Sequence, residues 1–86
     1  MYESPTVRKG DLIEVQRLPG YYETWKGVVL AARGNPFRVY PEGRPISLSS
    51  IVLVHKNYSG QRFTILKKGA GKGVAEAFDK LYRGIR

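Results

Sequence analysis

Punctuation by glycine and proline limits this chain more than any other feature. Ten glycines and five prolines are spread through 86 residues, and up to residue 55 they leave apolar pieces long enough only for strands. Residues 11–16 alternate, with Ile13 and Val15 on one face and Glu14 and Gln16 on the other, until Leu18-Pro19-Gly20 ends the run. Residues 25–32 form a β-branched and apolar run, stopped by Arg33-Gly34-Asn35-Pro36. Residues 37–40 alternate again, Phe37 and Val39 against Arg38 and Tyr40, before the reverse-turn sequence Pro41-Glu42-Gly43-Arg44-Pro45. Residues 46–48 and 51–55, parted by Ser49-Ser50, supply two more strands. Strands this short and closely spaced leave edges exposed unless the sheet curls shut. The pattern therefore predicts a mainly β protein, a small antiparallel barrel of five to six strands with a short C-terminal α-helix.

Beyond His55 the style changes. Asn57-Tyr58-Ser59-Gly60 reads as a turn, residues 62–66 as a sixth strand, and Gly69-Ala70-Gly71-Lys72-Gly73 as a flexible hinge. Val74, Ala77, Phe78, Leu81 and Ile85 then fall on one helical stripe. Glu76 with Lys80 and Asp79 with Arg83 are i,i+4 pairs in the favourable order, and Gly84 is a natural stop. A helix of about ten residues is marginal alone, so its stripe is expected to dock on the barrel or on a partner. The expected organisation is a barrel over residues 1–55 and a basic extension over 56–86, within one domain.

Charge is distributed unevenly over these two parts. Residues 1–55 hold seven Lys/Arg against five Asp/Glu, whereas residues 56–86 hold eight against two, so most of the formal net charge of +8 lies in the last third. Residues 56–73 contain Lys56, Arg62, Lys67, Lys68 and Lys72 and no acid. Ordinary surfaces intersperse both signs, so a segment without counter-charge points to an anionic partner, most often nucleic acid. Solubility is the plainer reading of the same residues.

Other features narrow the classes further. Without cysteine there is neither a disulfide framework nor a thiolate metal site. The first residues lack the apolar run of a signal peptide, and no stretch approaches the length of a membrane span, so a cytoplasmic location is the expectation. His55 is the single histidine, Asp11 and Glu14 face opposite ways on one strand, and no carboxylates have metal-ligand spacing. No enzyme activity, metal, cofactor or small-molecule substrate is expected. Residues 69–73 resemble a phosphate loop only superficially. Leu66 stands where a Walker A needs glycine, and Gly73 where it needs Ser or Thr.

Three pieces of the first half share a further pattern: Lys9-Gly10-Asp11-Leu12-Ile13-Glu14-Val15, then Lys26-Gly27-Val28-Val29, then Phe37-Arg38-Val39. Over residues 8–40 the chain resembles the KOW motif, the short signature of several ribosomal proteins and transcription elongation factors. In that family a basic residue and Gly-Asp open one strand, and a glycine comes early in the next. The resemblance implies a Src-homology-3-like small barrel and contact with RNA, DNA or the machinery that handles them. Gly10 would permit the turn into the first strand, and Gly27 the sharp coil of so small a barrel.

These lines converge on a non-catalytic nucleic-acid-binding protein, with RNA slightly favoured over duplex DNA. Lys56, Arg62, Lys67, Lys68 and Lys72, with Arg33, Arg38 and Arg44 from the barrel hairpins, are the expected phosphate contacts. Tyr21, Tyr22 and Tyr40 are the expected stacking residues. Trp25 and Phe37 read either as part of an aromatic platform or as core. The alternative class is a protein-interaction module or inhibitor on an acidic surface of transcription, translation or nuclease machinery, docking through the aromatic loop and the Val74/Phe78/Leu81 stripe. Burial of that stripe in the free protein separates the two: a docked helix favours nucleic acid, an exposed one a protein partner. No membrane partner is expected.

Overall fold

The computed structural model describes residues 6–17, 24–56 and 61–81. They form five strands and one helix: β1 (Leu12–Arg17), β2 (Thr24–Ala31), β3 (Phe37–Pro41), β4 (Val52–Val54), β5 (Gln61–Lys67) and α1 (Lys72–Leu81). All pairings are antiparallel, in the order β4-β3-β2-β1-β5. The mainly β expectation holds, with the sheet open rather than closed, because no ladder joins β4 to β5 among the described residues. The sheet nevertheless folds over on itself. Phe37 on β3 and Phe63 on β5 are three strand spacings apart, about 14 Å if flat. Their rings meet edge to face with centroids 5.2 Å apart.

Among the described residues the strands number five, the lower of the expected five to six. The run at residues 46–48 is not a strand: Leu48–Ser50 is a single 3-10 turn. The Ser47 and Ser49 hydroxyls lie 2.9 Å apart, and the Ser50 N–H donates back to the Ser47 carbonyl at 3.0 Å. Local bonds of this kind compete with a sheet ladder. The outcome leaves Ile46 and Leu48 exposed.

Alternation on β1 and β3 produces the inner core. Ile13, Val15, Val29, Phe37, Val39, Val54 and Phe63 are almost fully buried there, with Val7 closing one side and Trp25 packed at the margin. Phe37 is therefore core, and Trp25 rests against it. Each of these side chains contributes about 1.5–3 kcal/mol through removal from water.

The curl is made on β2. Its first part, Thr24 to Val28, pairs with β1, and Gly27 onward pairs with β3. The overlap falls at Gly27 and Val28, and at Gly27 a Cβ would stand 2.8 Å from the Tyr40 carbonyl oxygen and 2.7 Å from a Val39 methyl. Only glycine lets the two strands approach so closely.

The helix covers the outer face of β2. Ala75 and Phe78 are buried against Val28, Leu30 and Tyr40, with Leu12, Ile51 and Val74 around them. The Tyr40 and Phe78 rings are tilted at 53° with centroids 5.3 Å apart. The docked stripe is thus Val74, Ala75 and Phe78, rotated from the expected one, and Leu81 is 60% exposed. The small residues set this rotation: a Cβ on Gly71 would lie 2.5 Å from both Val28 methyls, and Ala75 is one turn further on. Asp79 pairs with Lys9 of the segment before β1, a partner far away in sequence.

Candidate nucleic-acid interface

Two distant parts of the chain meet where β1 begins and α1 begins. Gly10 turns the chain with φ of 90°, a conformation suited to glycine, and its N–H donates to the Val29 carbonyl at 2.8 Å. The Gly10 carbonyl in turn accepts the N–H of Gly71 at 2.7 Å. Asp11 is 4% exposed. One carboxylate oxygen accepts the Arg8 N–H at 2.9 Å and the other the Gly69 N–H at 3.0 Å. Residues 69–71 are therefore a fastened turn that leads into α1 at Lys72, not a hinge. A buried carboxylate needs such donors, since an unpaired one would be costly.

This fastening gathers cations. Thr6, Arg8, Lys9, Lys68 and Lys72 line an open cleft of ≈ 580 Å³, with Asp11 and Gly69 completing it. Arg8 and Lys9 also line a second depression with Arg33 and the apolar Val7, Leu30, Ala31 and Ala32. Arg33, Arg8, Lys9, Lys68 and Lys72 are all exposed and form one continuous basic border along two adjoining clefts. The one acid lining the clefts, Asp11, is engaged by backbone N–H groups, and Asp79 on α1 pairs with Lys9; Glu76, one turn after Lys72, is exposed to solvent.

Of the expected phosphate contacts, Arg33, Lys68 and Lys72 come together here, and Lys67 directly precedes them at the end of β5. Arg62 lies towards the other end of β5, opposite Gln16, roughly 16 Å from Lys67 at the rise of a strand. Arg38 is exposed on the outer face of β3 beside Leu53. Arg44 sits in the turn after β3, and Lys56 follows β4, its N–H donating to the Asn35 side chain at 2.7 Å. These four do not line the two clefts. Tyr40 is corrected as a stacking residue. It is 8% exposed, packed on Phe78, and its hydroxyl donates to the Arg44 carbonyl. Tyr21 and Tyr22 lie outside the described residues.

Arg8 and Lys9 line both clefts, and charge counting missed them because they belong to the nearly neutral part of the chain. The signal was present in the Lys9-Gly10-Asp11 pattern, where a basic residue precedes the Gly-Asp turn. Among the described residues, no group of three or more His, Cys, Asp or Glu side chains is placed to hold a metal ion. No helix there is long and apolar enough to cross a membrane. No family model, curated protein or solved structure matches the chain.

Proposed function

We propose that the protein is a non-catalytic nucleic-acid-binding module that holds phosphates along the border formed by Arg33, Arg8, Lys9, Lys68 and Lys72. The observation that carries this reading is the convergence of cations from residues 8–9, 33 and 68–72 on two adjoining clefts whose one lining acid, Asp11, is already bonded. RNA is the first ligand to test. Lys9 opens the KOW-like pattern of residues 8–40, and it is shared by both clefts together with Arg8. Val74 and Phe78 are packed on the sheet, which removes most of the stripe on which a protein-docking reading would rest.

Fluorescence anisotropy with labelled single-stranded RNA, single-stranded DNA and duplex DNA, titrated from about 50 to 200 mM salt, tests the proposal. Five phosphate contacts correspond to a log–log slope of roughly −3.5 on a single strand and −4.5 on a duplex. Binding that is weak to all three at the lowest salt would overturn it.

A further inference from the structure

Within that surface, we propose that the cleft between residues 6–11 and 68–72 is a pocket for a terminal phosphate of a strand, a monoester or a short polyphosphate, rather than for a mid-strand phosphodiester. The inference rests on the nucleic-acid reading and names the part of the ligand that this cleft takes. Shape is the first argument. The cleft is concave, has room for more than one phosphate group at ≈ 580 Å³, and is lined by Arg8, Lys9, Lys68 and Lys72 with Thr6 as a further polar side chain. The depression beside it has one additional cation, Arg33, and an apolar wall of Val7, Leu30, Ala31 and Ala32.

Charge is the second argument. Four cations and Asp11 line the cleft, and Asp79, outside the lining, pairs with Lys9, which leaves two formal positive charges among the lining residues and that partner. A mid-strand diester carries one negative charge on two free oxygens and would leave half of this excess unmatched. A terminal monoester carries about −1.5 to −2 at neutral pH on three acceptor oxygens. That matches the excess. The donors are also held in advance: Asp11 fixes the backbone of Arg8 and of Gly69, so one carboxylate joins the two segments from which Arg8 and Lys68 line the cleft. Beyond the cleft, Arg33 is positioned for the next phosphates along the strand.

The test uses one RNA sequence, labelled at its 3′ end, bearing a 5′-hydroxyl, a 5′-monophosphate or a 5′-triphosphate. The phosphorylated forms should bind about tenfold tighter, as expected for a few charge-assisted hydrogen bonds. Lys68→Gln with Lys72→Gln should abolish that preference. Arg33→Gln should weaken all three forms alike and leave their ratio intact. Inorganic pyrophosphate should displace the phosphorylated strands at lower concentration than inorganic phosphate does. Equal affinity for the three strands would overturn the terminal-phosphate pocket while leaving the nucleic-acid reading in place. Pyrophosphate binding without any strand binding would overturn both and identify a free polyphosphate as the ligand. Both lysines are exposed, and thermal midpoints of the variants separate loss of charge from loss of fold.

Discussion

Asp11 and Gly69 stand 58 residues apart in the chain and 3.0 Å apart in space, the carboxylate accepting the glycine's N–H. The other carboxylate oxygen takes the Arg8 N–H at 2.9 Å, so a single buried acid fastens the two segments that carry Arg8, Lys9, Lys68 and Lys72.

Replacing Asp11 by alanine removes an ionised acceptor from two backbone donors at once. Hydrogen bonds to charged groups are worth about 1.5–3 kcal/mol each. Asp11 is buried but both of its bonds are only part-buried, which puts the expected loss at about 2–3 kcal/mol by urea denaturation. Binding should fall with it even though Asp11→Ala makes the protein more cationic. Tighter binding in the alanine variant would show that the acid acts only as a counter-charge.

Gly71→Ala is expected to destabilise the protein by about 1–3 kcal/mol, because the new methyl would overlap both Val28 methyls. The cause is contact rather than backbone conformation, so it is open to relief. Val28→Ala in the same molecule should recover part of the loss, giving a favourable coupling in a double-mutant cycle. Strict additivity would place the helix elsewhere on the sheet.

Phe78 and Leu81 are one turn apart on α1 and should behave in opposite ways. Phe78 is fully buried, and Phe78→Ala should cost about 3–5 kcal/mol, a large share of the stability of so small a domain. Leu81→Ala, at a position 60% exposed, should stay within about 0.5 kcal/mol. Thermal melts followed by circular dichroism check both.

Position, not total charge, should decide binding. Arg8→Gln, Lys68→Gln and Lys72→Gln together should flatten the log–log salt slope by roughly 2–3 on either single strands or duplex. Arg38→Gln with Arg44→Gln lowers the net charge by two and should leave the slope nearly unchanged, since neither residue lines the clefts. Equal effects of the two sets would mean that the protein attracts polyanions through its overall field.

The strands were legible where alternation was clear. Ile13 with Val15 and Phe37 with Val39 point to the core as their spacing requires, and Val28 to Ala31, within the apolar run of residues 25–32, are buried on both faces because the helix covers one of them. Residues 46–48 misled because alternation ignores hydroxyl groups: the Ser47, Ser49 and Ser50 hydroxyls pair with one another, and the backbone closes on itself from Ser50 to Ser47. The helix stripe was legible in period and not in phase, since its rotation depends on how near Gly71 and Ala75 approach Val28. Lys68 and Lys72 stood out by composition. Arg8 and Lys9 did not, because their value comes from a hydrogen bond that spans most of the chain.

Val28, Val29 and Leu30 follow one another on β2, and they belong alternately to two apolar clusters on opposite sides of it. Neither cluster can open without stripping one side of the same strand, so the helix and the curled sheet should unfold in a single cooperative step. Hydrogen exchange would display this as shared protection: a polyanion held beside Lys72 should slow the exchange of amides on β3, which it never touches.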